Sequence, residues 1–179
     1  MSAPAKLVRA ATLADVPRVV ALVERAYRGE ESRAGWTTEA DLLDGQRTDA
    51  EDVEQALLAP GNLMLLVLEA DALRASVLLK PQPDAVLLGM FAVEPVRQGS
   101  GLGRFLLERA QREMRERFAA ARGRMTVIRQ REELVAWYGR RGWHPTGARE
   151  PFPYGQPRFG EPRRDDLEFV VLEKDLAPA

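Results

Sequence analysis

Residues 85–93, Ala85-Val86-Leu87-Leu88-Gly89-Met90-Phe91-Ala92-Val93, lead through Gln98-Gly99-Ser100-Gly101-Leu102-Gly103 into the amphipathic run 102–118, and together read as strand, glycine turn, helix. A run that is apolar at almost every position suits a strand covered on both faces, which puts 85–93 in the middle of a sheet. In the helix, Leu102, Phe105, Leu106, Ala110, Met114 and Phe118 recur at helical spacing, opposite Arg104, Glu108, Arg112, Arg115 and Glu116, with Gly123 as the expected exit. A helix start carries unpaired N–H groups and a partial positive charge, and three glycines let a bulky anion reach them with no Cβ in the way. The competing reading is a tight turn whose glycines serve only backbone angles.

Working outward, residues 7–10 can form a short first strand. Thr12-Leu13-Ala14-Asp15 has capping-box spacing and opens a helix to about residue 28, with Val16, Val19, Val20, Val23 and Tyr27 on one face. Residues 29–48 form a looser excursion around Trp36, in which Thr38 and Asp41 cap a short helical piece carrying Leu42 and Leu43. A helix over 49–59, with Val53, Ala56 and Leu57 inward, stops at Pro60-Gly61; strands 63–69 and 73–80 then form a hairpin around Ala70-Asp71. Beyond the long helix come a strand at 124–128, a short helix at 131–140 ended by Gly142, a strand at 143–148, a proline-rich loop and a last strand at 167–172. This order predicts one α/β (α+β) domain over 1–179, with a central mixed sheet of about six to seven strands and about four helices.

Composition narrows the function. At 179 residues, 45% hydrophobic and 30% charged, the chain is of single-domain length. Acidic and basic residues nearly cancel, 27 against 26, so no global field draws it to nucleic acid or to a membrane. The absence of cysteine excludes disulfides, thiolate metal sites and a cysteine nucleophile. A single histidine, His144, argues against a histidine metal site or a Ser-His-Asp relay and reads as a packed or surface side chain. Residues 1–9 lack the charged head and apolar run of a signal peptide, and no stretch approaches the roughly 18 apolar residues of a membrane span. A soluble, cytoplasmic protein without metal is the expectation.

Three phosphate-binding patterns compete for the glycine turn. A Walker loop needs Gly-Lys-Ser/Thr, and neither lysine nor hydroxyl follows Gly103. A dinucleotide fold needs Gly-x-Gly-x-x-Gly and an acidic residue after the next strand, whereas this turn is Gly-x-Gly-x-Gly and the next strand leads into Arg129-Gln130. The third pattern is an acyl-CoA site. Gln98, Gly101 and Gly103 meet the Gln/Arg-x-x-Gly-x-Gly/Ala pattern, and the segment resembles motif A of the GNAT superfamily of N-acetyltransferases. Met90-Phe91-Ala92-Val93-Glu94-Pro95 is similar to that family's fourth strand and its Val-x-Pro exit, and Trp137-Tyr138-Gly139-Arg140-Arg141-Gly142-Trp143 to its Tyr-x-x-x-Gly-aromatic segment.

The resemblance implies a GNAT-like fold and transfer of an acetyl group from acetyl-CoA to a primary amine, small-molecule or protein, by direct attack and without a metal. It implies that Gln98, Gly99, Ser100, Gly101, Leu102, Gly103 and Arg104 hold the CoA pyrophosphate, with Arg97 and Arg104 flanking it. It further implies that pantetheine lies along Phe91, Ala92 and Val93, one of whose N–H groups faces the thioester oxygen. Tyr138 matches the tyrosine that protonates the departing thiolate. A phenol near pKa 10 giving its proton to a thiol near 8.5 is uphill by about 2 kcal/mol, so the site must lower the phenol pKa or stabilise the thiolate by a hydrogen bond.

The acceptor site implied by the fold points at Tyr27, Arg28, Trp36 and the 151–155 loop with Tyr154. Arg131 stands about where many relatives carry a CoA-contacting asparagine. The fourth strand lacks the glutamate that serves several relatives as base; Glu30, Glu31, Glu69 or Asp41, directly or through water, or an amine entering neutral, are the alternatives. Dimers are common among similar proteins, so a homodimer is among the expectations. An acyl-CoA-binding module without turnover and a nucleotide-binding protein are the rival readings.

Overall fold

The hairpin at the centre of the chain shows how the sheet is set. In the computed structural model, which describes residues 5–177, β3 (Leu63–Glu69) and β4 (Ala72–Pro81) pair antiparallel around Ala70 and Asp71, both at positive φ, 46° and 62°. Two consecutive residues in that region form the turn whose twist matches a hairpin's strands. Every residue of β3 is buried: Leu65 and Val67 pack on one face while Met64, Leu66 and Leu68 pack on the other, as the two-residue period of a strand requires.

The remaining strands are β1 (Lys6–Ala10), β2 (Leu43–Asp44), β5 (Val86–Val93), β6 (Arg122–Ile128), β7 (His144–Pro151), β8 (Glu161–Pro162) and β9 (Glu168–Asp175). Seven of them form one mixed sheet in the order β1-β3-β4-β5-β6-β9-β7, with β5 fourth of seven, and β2 and β8 make a separate two-stranded ribbon. On one face α1 (Val16–Tyr27) and α3 (Ala50–Leu58) bury Val19, Leu22, Val23 and Val53; on the other α4 (Leu102–Glu116) buries Leu102, Leu106, Leu107, Ala110 and Met114. The helix α5 (Glu132–Gly139) adds Tyr138 to the second face, and α2 (Gly29–Ser32) is a single turn. Met1 to Pro4, part of the amino-terminal stretch read for a leader, lie outside the described residues. Among the described residues no helix is long and apolar enough to cross a membrane.

Several expectations are corrected. The α1 stripe is Val16, Val19, Leu22, Val23 and Ala26, with Val20 and Tyr27 half-buried at its edge. Residues 38–42 form a turn instead of a helical piece, and Leu43 enters the ribbon. Gly123 is not the exit of α4, which ends at Glu116 before a reversal through Ala119 (φ 50°). Gly123 lies inside β6, where a Cβ would stand 2.7 Å from Trp143 Cη2 and 3.1 Å from Met114 Sδ. It is glycine because the indole passes directly over the strand.

The feature that creates the site is a parting of strands. β5 and β6 pair in parallel only at Val86↔Gly123 and Leu87↔Arg124, after which β6 continues against β9 alone. Where the two diverge, the β4–β5 register shifts between Ser76 and Leu78, and Met90 takes a positive φ of 44°. This bulge bends β5 away from its neighbour, so the sheet opens at Gly89–Val93 into a wedge.

Candidate active site

The glycine turn stands at the mouth of that wedge. Gly99 and Gly101 sit at φ 79° and 86°, a conformation that glycine adopts without a Cβ penalty, and a Cβ at either would meet nothing within 4 Å. Gly101 is the N-cap of α4 and offers no side-chain cap. Among the described residues, the N–H groups of Gly99, Gly101, Leu102, Gly103 and Arg104 find no acceptor, whereas Gln98 and Ser100 donate theirs to Pro95 and Arg97 at 3.2 and 3.3 Å. Five main-chain donors at a helix start, beside open space, are built to receive an anion. Gly103 faces the side chains of Val93 and Trp137, where a Cβ would make only ordinary contacts, at 3.6 and 3.7 Å.

From this cradle a cleft of about 230 Å³ runs along β5 between Phe91, Val93, Trp137, Tyr138, Leu134 and Trp36. Its walls are aromatic: Trp137 lies 6.1 Å from Trp36, 6.4 Å from Phe91 and 5.1 Å from Tyr138, and carries the Arg141 guanidinium 3.7 Å above its ring. The segment bearing Trp36 folds over the turn so closely that a Cβ on Gly35 would collide with the Gln98 side-chain amide. Gln98 in turn donates from Nε2 to the Val93 carbonyl at 3.3 Å and leaves its buried Oε1 without a partner.

A second cavity of about 320 Å³ opens on the other side of the wedge, lined by Leu87, Met90, Phe152, Phe159 and Phe169, among others. The two share Tyr27, Phe91, Arg131, Leu134 and Tyr138, so they meet at the strand gap. Tyr27 donates its hydroxyl to the Phe91 carbonyl at 2.7 Å and pins the bulge. Tyr138, 4% exposed, has no hydrogen-bond partner for its hydroxyl among the described residues, and burial pushes its phenol well above the usual range. Burial therefore favours the neutral phenol, which can donate a hydrogen bond.

Beneath the junction lies a buried charge cluster. Glu39 is clamped by Arg28 and by Arg131 Nη1, the latter at 2.9 Å, and all three side chains are buried. Burial alone would raise the Glu39 carboxyl; the charges of Arg131, Arg28 and Arg47 outweigh it and hold the group below its ordinary value. Arg131 also donates to Thr37 Oγ1 at 2.8 Å, and Arg47 and Arg131 lie 5.3 and 5.7 Å from the centre of the Tyr27 ring. Sequence reasoning singled out Arg28 and Arg131 but passed over Glu39 and Arg47. Their one signal was a charged pair in a stretch too irregular to be a solvated helix.

The remaining predicted residues are divided. Phe91, Val93, Gln98, Gly99, Gly101, Gly103 and Arg104 line the cleft; Ala92 and Leu102 turn their side chains into the core, leaving only main-chain groups. The Ser100 hydroxyl donates to the Arg97 carbonyl at 2.6 Å. Arg97 is turned to Glu69, with Nη1 2.6 Å from its carboxylate, and Arg104 pairs with Glu108 at 2.8 Å on the exposed edge. Trp36, expected beside the acceptor, lines the first cleft and not the second. Tyr154 lines neither: its hydroxyl donates to Arg164 O at 3.0 Å and accepts from Leu167 N at 2.8 Å, which braces the loop so that Phe152 and Pro153 face the cavity in its place. Among the expected bases, Glu69 is spent on Arg97, Asp41 and Glu30 pair with Arg33, and none of the four, Glu31 included, borders either cavity. The carboxylates that do are Glu39 and Asp52. His144 lies on β7, exposed and away from both.

A split mixed sheet with open main-chain donors at the helix after its central strand defines an acyl-CoA-dependent transferase fold. The family model of the acetyltransferase (GNAT) domain matches residues 34–152, two thirds of the chain, and the protein belongs to the GNAT family of acetyltransferases. Its enzymes take the acetyl group from acetyl-CoA and act on amine acceptors. Among solved structures, the ribosomal-protein-S18-alanine N-acetyltransferase of Escherichia coli superposes with a TM-score of 0.72 at 16% identity, over 98% of this chain and 96% of that one. The PaiA N-acetyltransferase of Thermoplasma acidophilum, in complex with coenzyme A, gives 0.67 at 15% identity over 96% and 99%. YncA of Salmonella typhimurium, with acetyl-CoA, gives 0.67 at 20% over 98% and 96%. At these identities the likeness is one of fold. No curated protein matches the chain.

Proposed function

We propose that the protein transfers an acetyl group from acetyl-CoA to a primary amine that enters from the second cavity and attacks the thioester directly at the strand gap. The observation that carries this reading is the parting of β5 from β6 after two residue pairs, with five unused N–H groups at its mouth. Those N–H groups and the open positions at Gly99 and Gly101 fit a diphosphate. Each N–H bond to a charged oxygen contributes about 1.5–3 kcal/mol, against about 0.3–1 kcal/mol for the helix dipole, so hydrogen-bond geometry sets affinity.

In this reading Phe91 to Val93 line the pantetheine arm, which Trp137 and Trp36 cover. Bound acetyl-CoA supplies an activated acyl carbon; the chain supplies alignment, shielding from bulk water and a hydrogen-bond donor. Tyr138, kept protonated by burial, donates a hydrogen bond to the leaving sulfur. The amine loses its proton before or during attack. With Glu39 locked between two guanidiniums, that proton leaves through water or through Asp52, whose carboxylate accepts from Thr48 Oγ1 at 2.8 Å.

The test is thiol release from acetyl-CoA across a panel of primary amines, beside calorimetric titration with CoA. Binding of CoA with amine-dependent thiol release supports the reading. Binding without release on any amine makes the protein a silent acyl-CoA module, and tighter binding of ATP than of CoA makes it a nucleotide-binding protein.

A further inference from the structure

The second cavity is charged in a way that transfer to a bare amine does not need. Arg28, Arg47, Lys80 and Arg131 border it, against Glu39 and Asp52, four cations to two carboxylates. Two of the cations are deeply buried, Arg28 at 6% and Arg131 at 5% exposure, and they share the single carboxylate of Glu39. Their other bonds are to neutral oxygens, Arg28 Nη2 to the Phe159 carbonyl at 3.1 Å and Arg131 Nη2 to Thr37. The Nε atoms of both are buried with no partner. Arg47, half-buried against the Tyr27 ring, makes no ion pair among the described residues. Buried positive charge in excess of its counter-charge is unfavourable until an anion joins it, and guanidiniums favour a carboxylate because their paired N–H groups match its two oxygens.

We infer that the acceptor is an α-amino acid with a large apolar side chain, its carboxylate received by Arg131, Arg28 and Arg47. Arg131 borders both cavities, at the strand gap shared with Tyr138 and Phe91, so an anion on it leaves room at the gap only for an amine close by. An α-amino nitrogen is two bonds from the carboxyl carbon and meets that requirement; an ω-amine on a long chain does not. The remaining wall, Leu87, Met90, Phe152, Phe159 and Phe169, suits an apolar side chain. In the reaction the neutral amine nitrogen forms the bond to the acetyl carbon and the C–S bond breaks. The sulfur leaves as CoA thiol, and the amine's proton balances it. This inference rests on the acetyl-transfer reading above and adds the class of acceptor.

The experiment compares phenylalanine with phenethylamine, which lacks only the carboxylate, in the thiol-release assay with the full chain, and N-acetylphenylalanine with N-acetylphenethylamine by calorimetry. Phenylalanine is expected to exceed phenethylamine in kcat/KM, and its acetylated form to bind more tightly than the other, by about tenfold to a hundredfold. Arg47→Gln, at a half-buried side chain that makes no ion pair among the described residues, is expected to raise KM for phenylalanine about tenfold more than KM for phenethylamine; Arg131→Gln should act in the same direction. Equal use of the two amines with equal binding of the two products overturns the inference, as does an Arg47→Gln variant that weakens both alike. Failure of CoA to bind removes the acetyl-transfer reading itself. CoA binding with preference for phenethylamine removes only the amino acid.

Discussion

Glu39→Gln is the most exacting test of the charge cluster. In the wild type one carboxylate answers two buried guanidiniums, Arg28 and Arg131, the latter bonded at 2.9 Å. The amide oxygen of glutamine can still accept from one of them, but its NH2 group then faces the other, and two cations remain under the junction without a counter-charge. Removing one partner of a buried ion pair costs about 3–5 kcal/mol. For a chain of this length each kcal/mol shifts Tm by about 2–4 °C, so a fall of about 6–20 °C is expected at neutral pH.

The sign with pH follows from linkage. Glu39 is held ionised below its ordinary value, so its stabilisation is present above the unfolded-chain pKa of about 4.3 and fades as pH falls through the folded value. The gap between wild type and variant is therefore widest near pH 7 and narrows in acid. Replacing all three side chains together, Arg28→Met, Glu39→Leu and Arg131→Leu, should destabilise less than Glu39→Gln alone, because no charge is left stranded. Calorimetric unfolding at pH 7 and pH 4 decides: a Tm within about 2 °C of wild type at both, on the same scale of degrees per kcal/mol, would falsify the account of the cluster.

Gly101→Asp places a carboxylate in open space beside the free N–H groups, so the fold is kept at a backbone penalty of about 1–2 kcal/mol. Two like charges about 4 Å apart near a surface repel by about 4 kcal/mol, so titration calorimetry should show CoA affinity down by two to three orders of magnitude, with Gly101→Ala as the control for backbone effects. Tyr138→Phe should lower kcat by about tenfold to a hundredfold and leave binding of acetyl-CoA nearly unchanged, since the lost group is a donor to the leaving sulfur and not an anchor. Because burial raises the phenol above its usual value near 10, Tyr138 should contribute no basic limb to the kcat profile at pH 6–9.5, and a limb that disappears in Tyr138→Phe counts against its protonated role. Gly123→Ala drives a methyl to within 2.7 Å of the Trp143 ring and should cost about 1–3 kcal/mol, read as a fall in denaturation midpoint, with binding of CoA intact.

The reach of the sequence followed the range of the forces involved. Helix α4, the β3–β4 hairpin and the central place of β5 were legible because each is fixed by a local pattern: a helical apolar period, a turn between two apolar runs, a strand apolar on both faces. The glycine turn was legible too, since backbone angles and open N–H groups belong to the chain segment itself. Gly123 was misread because a glycine at a helix exit and a glycine under an indole look alike until β7 brings Trp143 across β6. The turn at 38–42 was misread because its driving force is long-range: Glu39 is drawn inward by two guanidiniums, one of them 92 positions away at Arg131.

The same division separates the two sides of the site. The sequence by itself determined the elements of the proposed donor side, β5, the glycine turn and the helix that bears Tyr138, because each is set by a local pattern. Only tertiary structure decided that Arg97 faces Glu69, that Trp36 covers the first cleft, that Tyr154 braces a loop, and that Arg28, Glu39, Arg47 and Arg131 converge under the second cavity. Their partners come from distant segments, and the free energy of a buried ion pair depends on which charges the fold brings together, a quantity that no local pattern encodes.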